Sequence, residues 1–594
     1  MNSSDSAESN KTFTRWFWYD WIAALFLFLA TAAVVVWQNS RVGVLWDLSY
    51  VLENSYRISL GNIPYRDFPL PHAPLMFLIQ AALIKLTGRV FWHHIVYCSV
   101  AGGLATVLTW RILLHLLRGA NARLLAYLLS LPLIVLGIYC IFPHPFYDPD
   151  CTLAILLSLL LLLQLEHKRI SSMRAFLTGT TLVIPLFVKQ NTGLAFLASS
   201  ALAFVVLMAI DAWRRRPLRG RAWVLAGAAA GLALSLLIIQ LTAGLHNYWY
   251  WTIRFAAERR TPARVEMLGI YTDKTLLFWI ALFVAGALLL WFSRRESRGL
   301  RMLSGLIVSV PFAWPAIYLL RDQDASERAE RLLAFWPALL IASFIVAILN
   351  IKHRNGVLLV LPFILIGTVN GAFLSQQLWG STYALWPLFM ILIATMIVSL
   401  RRIAIDAFGW MAVPLTTVIV ASLMISGVSY VRSEERLDYA NLSDGEMTRS
   451  TLPQLRGLSI RGRWIPDFEE LVSYSNAEIP RDDAVLVLPG EDLFFYTTGR
   501  TPQFPVQLFD RTTNPYSPEE IIKLCGDRNI RWVIVKQDLQ LDDDRVEQDK
   551  DRLTELLDED FEQVESLNNY DIYRRNDSPE TSSSSKRSAE DDAK

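Results

Sequence analysis

Apolar residues in this chain fall into runs long enough to cross a bilayer, separated by short polar breaks. A membrane-spanning helix needs ~20 predominantly apolar residues. Thirteen runs meet or approach that length, at about 20–37, 91–110, 124–142, 150–166, 174–188, 193–210, 222–242, 275–293, 302–320, 332–350, 356–375, 382–400 and 409–430. A further apolar run at 75–87 is shorter, contains Gln80 and Lys85, and is bounded by Pro74 and Gly88. A run of that length reads as re-entrant or interfacial. The first run has no small-residue cleavage pattern after it, so it reads as an uncleaved signal anchor.

From about Val431 the pattern changes. AVLVLPG (484–490) and RWVIVKQD (531–538) read as short buried strands. SPEEIIKLCGDRN (517–529) reads as a helix, with Ser517 as its cap and Glu520 three residues on. The fold class is therefore an all-α polytopic membrane protein of about 13 transmembrane helices. Its first outer loop carries re-entrant or interfacial helices, and a small α/β extracytoplasmic domain follows at the C-terminus. The division is 1–19, 20–430, 431–575 and 576–594. The last of these is a polar low-complexity tail with no apolar face to bury.

Composition supports the membrane reading: 53% of the 594 residues are hydrophobic, and the mean hydropathy is +0.32. A net charge of +1 points to no partner, nucleic acid included. The four cysteines form no CxxC pair, so no redox or metal motif is readable. Cys140 and Cys151 flank one short loop, where a disulfide is the alternative to the favoured reading of all four as small buried residues.

Local charge is more informative. One set of alternate segments (the N-terminus, 111–123 and the basic loops after it) carries roughly 21 Lys and Arg, against roughly 14 in the opposite set. The positive-inside rule then places the N-terminus in the cytoplasm and the C-terminal domain outside. An odd number of spans requires the same arrangement. Residues 38–90, 142–150, 189–193 and 246–274 share the outer face.

These outer segments hold the candidate chemistry. Asp47 follows the first span closely, in VLWDLSYVLENSYRISLGNIPYRDFPLPHAPLMF, a stretch too acidic and too proline-rich for a plain connector. An ionisable group at membrane depth points to a site. If 45–60 is helical, Asp47 can face a cavity while Trp46, Val51 and Leu52 pack elsewhere, and Gly61, Pro64 and Pro69 end the helix. Asp67 either joins the site or pairs with Arg66. Asp148 and Asp150 stand at the mouth of a span, where Asp150 caps the helix, supports the site, or both. Lys189 either snorkels or holds an anionic head group. Arg254, Arg259, Arg260 and Arg264 lie among aromatics on the side where basic residues are disfavoured, and guanidinium forks match phosphate oxygens. Carboxylates for proton transfer and cations for phosphate, at a membrane surface, suit transfer from a lipid-linked phosphate donor. The acidic residues lie in different loops, so no metal ligand set is readable, and a divalent cation stays open as a cofactor.

The aspartate soon after the first span, followed by GNIPYRDFPLPHAPLMF and a short LTG close, resembles the first loop of the integral-membrane class C glycosyltransferases. The likeness is to the protein O-mannosyltransferase and aminoarabinose transferase group, as a divergent bacterial member. The resemblance implies that Asp47 is the catalytic base and that Asp150, or else Asp148, is the second-loop aspartate. PHAPL resembles a segment in which a lysine contacts donor phosphate. His72 stands at that lysine's position, and Lys189, Arg254, Arg259 and Arg260 are the other candidates for the contact. The implied activity is inverting transfer of a sugar from a polyprenyl-phosphate donor to a lipid, glycan or protein acceptor of the cell envelope, at a bacterial inner membrane. The alternatives are a polysaccharide polymerase or ligase, and a flippase of lipid-linked glycans. A flippase calls for ionisable or broken helices near the bilayer midplane, whereas the charges here collect at one surface.

Overall fold

In the computed structural model the described residues are 16–117, 121–166, 171–260, 269–292, 298–321, 335–353, 356–374, 383–403, 411–432, 440–442 and 444–576. Arg264 and the expected tail from 577 lie outside them.

Eight helices are long and apolar enough to cross a membrane: Trp18–Asn39, Phe91–Leu116, Tyr147–Gln164, Gln190–Trp213, Arg219–Thr242, Gly299–Arg321, Tyr383–Leu400 and Ala412–Arg432. This is an integral membrane protein. Shorter apolar helices cover Ala122–Leu136, Ser172–Val188, Lys274–Leu289, Trp336–Leu349 and Val357–Ala372, so each expected span coincides with an apolar helix. Some of the shorter ones are interrupted. Ala122–Ser130 stops before Pro132, and Ser172–Thr181 is followed, after a two-residue turn, by Ile184–Val188 with Pro185 in its first turn. Proline lacks the N–H that would continue the ladder, so apolar composition persists where the helix does not. Tyr383–Leu400 is the most enclosed of the eight, with 83% of its apolar window buried, and Arg219–Thr242 the least, at 22%. The first therefore forms the middle of the bundle. The second turns Leu234, Leu237 and Leu241 outward, as a lipid-facing helix does.

Between the first two long helices the chain forms two shorter ones, Leu45–Ser59 (hereafter the loop helix) and Leu75–Thr87. They pack on each other and enclose Val51, Leu52, Met76 and Phe77 completely.

The C-terminal lobe contains a two-stranded antiparallel ribbon, β1 (Met447–Arg449) with β2 (Ser459–Arg461), and a four-stranded sheet. The sheet order is β3 (Ala484–Leu488), β4 (Ile530–Lys536), β6 (Tyr570–Arg575), β5 (Phe561–Ser566). β3 and β4 run parallel, joined through the helix Pro518–Asp527, and the remaining pairs are antiparallel. That helix begins with the capping box expected from its sequence. Glu520 N–H donates to Ser517 Oγ at 3.3 Å, and Ser517 N–H donates to a Glu520 carboxylate oxygen at 2.8 Å. β3 and β4 lie where the apolar runs placed them. All four cysteines are free thiols, and all are buried.

Candidate active site

Asp47 occupies the first turn of the loop helix, two residues beyond its first residue Leu45. A carboxylate there is favoured by the partial positive charge of a helix N-terminus. It is partly exposed, among neighbours that are buried. Its charge lies within electrostatic reach of Tyr147, as do those of Asp148 and Arg260. Tyr147 stacks on His72 with ring centroids 4.5 Å apart and 24° between planes. His72 Nδ1 and the Tyr50 hydroxyl share a hydrogen bond of 2.5 Å. Tyr50 is three residues beyond Asp47, so both project from the same side of the loop helix.

Burial pushes the His72 imidazole well below its ordinary pKa, and the nearby positive charges of Arg260 and Lys189 push it the same way. His72 is therefore neutral. The Tyr50 phenol is raised by burial, a shift that Arg260 opposes and Asp510 reinforces. It stays protonated, so the hydrogen bond joins two neutral partners.

Lys189 was expected in a loop between two spans. It is instead a one-residue break: the short helix Ile184–Val188 ends before it, Lys189 is extended, and the long helix begins at Gln190. Gly193 makes this break compact, because a Cβ there would lie 2.2 Å from the Pro185 carbonyl oxygen. The Lys189 ammonium is ion-paired with Asp148, both side chains about 5% exposed or less. The second Asp148 oxygen has no hydrogen-bond partner among the described residues. Gln190 donates to the Pro71 carbonyl at 2.9 Å and so ties the break to the segment that carries His72.

A cavity of ≈ 490 Å³ opens among these groups. His72, Tyr147, Lys189, Gln190 and Arg260 line one part of it. Leu186, Leu194, Ala195, Ala198 and Leu374 line the other. Leu194, Ala195 and Ala198 lie one to two turns inside the spanning helix Gln190–Trp213. The cavity thus joins a cationic end, which includes the start of that helix, to an apolar end that runs along it.

The arginine segment is not one uniform helix. A π-helical turn, Tyr250–Phe255, precedes Ala256–Arg260. Thr252, Ile253, Ala256, Ala257 and Arg260 face the cavity. Arg254 instead pairs with Glu258 at 3.1 Å on the exposed side. Arg259 lines a second cavity of ≈ 560 Å³, with Phe509, Asp510, Tyr516, Glu520 and Asp549 of the lobe.

The remaining candidates lie apart from the cavity lining. Asp150 is the fourth residue of its helix, whose cap position is Phe146, so it does not cap it. It accepts hydrogen bonds from the hydroxyls of Tyr97 (2.8 Å) and Tyr139 (2.7 Å). Asp67 takes the Arg66 guanidinium at 2.8 Å and the Ile63 N–H at 2.7 Å, closing a turn. The hydrogen bond from Arg66 holds its carboxyl below the usual range. Sequence reasoning passed over Tyr50, Tyr147 and Gln190. Only proximity to Asp47, Asp148 and Lys189 could have singled them out. Among the described residues no three His, Cys, Asp or Glu side chains gather as a metal site requires.

No family model and no curated protein matches this chain. Among solved structures it is similar to ArnT from Cupriavidus metallidurans bound to undecaprenyl phosphate, at 12% identity over 92% of this chain and 97% of that one, with a TM-score of 0.45. It is also similar to the archaeal oligosaccharyltransferase AglB from Archaeoglobus fulgidus in complex with an inhibitory peptide and a dolichol-phosphate, at 11% identity over 88% and 70%, with a TM-score of 0.46.

Proposed function

We propose that this protein transfers a sugar from a polyprenyl-phosphate donor to a hydroxyl-bearing acceptor of the cell envelope, on the outer face of a bacterial inner membrane. The supporting observation is the shape of the first cavity: cationic at one end, apolar along a spanning helix at the other. A ligand matching both ends is an anionic head on a long hydrocarbon tail. Lys189, Arg260 and the N-terminus of the helix Gln190–Trp213 would hold the phosphate, and the apolar end would take the first prenyl units.

In this reading Asp47 is the general base. The acceptor hydroxyl oxygen forms a bond to the anomeric carbon as the bond from that carbon to the phosphate oxygen breaks. The hydroxyl proton passes to Asp47, and the electron pair leaves with polyprenyl phosphate, whose growing charge the cations stabilise. A single displacement inverts the anomeric centre. Neutral His72, held by Tyr50 and Tyr147, would contribute a hydrogen bond at the cationic end. The second cavity, polar and bordered by Arg259, would admit the acceptor.

The test is binding of undecaprenyl phosphate to the purified protein. Arg260→Ala and Lys189→Ala should each weaken it by about 10–100-fold, the value of a hydrogen bond to a charged group. Undecaprenol, which lacks the phosphate, should bind poorly to the wild type. Equal binding of phosphate and alcohol, or variants that bind like the wild type, would remove the phosphate reading.

A further inference from the structure

The side of the loop helix that meets the C-terminal lobe carries a second pattern. Leu45, Ser49, Glu53 and Arg57 recur every four residues, which puts them in one row. Each is bonded to the C-terminal lobe. Leu45 N–H donates to Gln540 Oε1 at 2.8 Å. Ser49 Oγ donates to the Gly490 carbonyl at 2.5 Å. Both Glu53 carboxylate oxygens accept from Tyr496 N–H, at 3.1 and 3.0 Å. Arg57 donates to the carbonyls of Phe504 and Pro505 at 3.0 and 2.8 Å. At ~100° per residue, Asp47 lies about 200° around the helix from Leu45. Ser49 is about 160° from Asp47 and Arg57 about 80°, so the lobe grips the first turns of the helix from behind Asp47 and the last turn from a flank.

Gln540 makes two contacts in this grip. Besides accepting from Leu45 N–H, its side-chain amide donates to the Gly43 carbonyl at 2.8 Å. It thus bridges the backbone on both sides of Val44, the helix cap, which supplies no capping side chain. Gln540 is itself fixed. Glu491 accepts from the N–H groups of Gln540 and Leu541, and pairs with Lys536 at 2.7 Å. Lys536 also binds Asp492, which accepts from the Tyr570 hydroxyl. Every side chain in this chain of contacts is buried.

We propose that Gln540 is a positioning residue, and that the lobe sets the reach of the Asp47 carboxylate by fixing the first turn of the loop helix through it. The proposal rests on the reading of Asp47 as the base. The row below Gln540 adds a pH dependence. Burial raises the Glu53 carboxyl to about 8, against the opposing effects of the Tyr496 and Phe495 N–H groups and of Arg89, while Asp492 raises it further. Tyr56 and Tyr496 are the other titratable groups beside it. Below that pH Glu53 is neutral in the seam. A folded pKa above the unfolded one means that stability falls as pH rises from ~4.5, with the loss complete once pH passes the folded value of about 8. The grip is therefore weakest in alkali.

The test uses the full-length protein, with sugar transfer and amide hydrogen exchange measured on the same samples. Gln540→Met keeps the volume and removes both bonds. It should raise exchange at the Leu45 amide and lower kcat by at least about 10-fold with donor KM unchanged, since a small misplacement of a reacting group costs up to ~10²-fold. Faster exchange with wild-type kcat would overturn the positioning role, as would unchanged exchange. If Gln540→Met does not fold, Glu53→Gln serves. Its kcat should hold above pH 8, where the wild type declines, and parallel profiles would overturn the proposal. If the wild type transfers no sugar, the Asp47 reading fails, and exchange at Leu45 still decides whether Gln540 holds the helix.

Discussion

The seam between the loop helix and the lobe and the first cavity use polar residues in opposite ways. In the seam each residue of the row finds a counterpart: a carbonyl for Ser49, two for Arg57, whose Nε is left without one among the described residues, an N–H for Glu53, an amide oxygen for Leu45. On the cavity side Lys189, Arg260 and a helix start converge on open space beside the single ion-paired carboxylate of Asp148. A matched buried network fixes structure. Charge gathered around a cavity is what a ligand completes. Burial alone does not separate the two, because Glu53 and Asp148 are both buried.

Four substitutions bear on this contrast. Asp148→Ala should have the largest effect on stability. It leaves the Lys189 ammonium buried without its counter-charge, a loss of about 3–5 kcal/mol, read as a fall in the unfolding temperature of the purified protein. Asp150→Asn should cost about 1–3 kcal/mol, because one of the two tyrosine hydroxyls at that carboxylate is left poorly matched. Its turnover per folded molecule should stay close to that of the wild type. If turnover collapses while stability holds, Asp150 belongs with the reacting groups. Arg254→Ala should do least, within about 0.5 kcal/mol of wild-type stability, since its ion pair with Glu258 lies at the exposed surface, where such pairs contribute little. Donor affinity should not change, in contrast to Arg260→Ala. The fourth substitution, at Asp47, concerns the chemistry itself.

The architecture was readable where it depends on local composition. Apolar runs gave the helices, Ser517 with Glu520 gave a helix start, and two apolar segments gave β3 and β4. β5 and β6 were not readable. FEQVES is an edge strand with only Phe561 buried, so no apolar alternation marks it. The extent of the spans was also overread, since hydropathy does not register a break such as that before Pro185. Of the residues the sequence offered, His72, Lys189 and Arg260 line one cavity, and Asp47 lies outside that lining, within electrostatic reach of Tyr147. The sequence could not separate Arg260 from Arg254, because the π-helical turn between Tyr250 and Phe255 changes which residues face inward. Nor could it find Gln540, whose partner Leu45 lies 495 positions away in the chain.

Asp47→Asn removes the proposed base while keeping the shape of the side chain and the grip of the lobe. The most direct measurement is sugar transfer by the purified variant from a radiolabelled polyprenyl-phosphate sugar, with donor binding measured in parallel. The account predicts a fall in kcat of about 10²–10⁴-fold, the usual contribution of a general base, with donor binding unchanged. Transfer at the wild-type rate would contradict it.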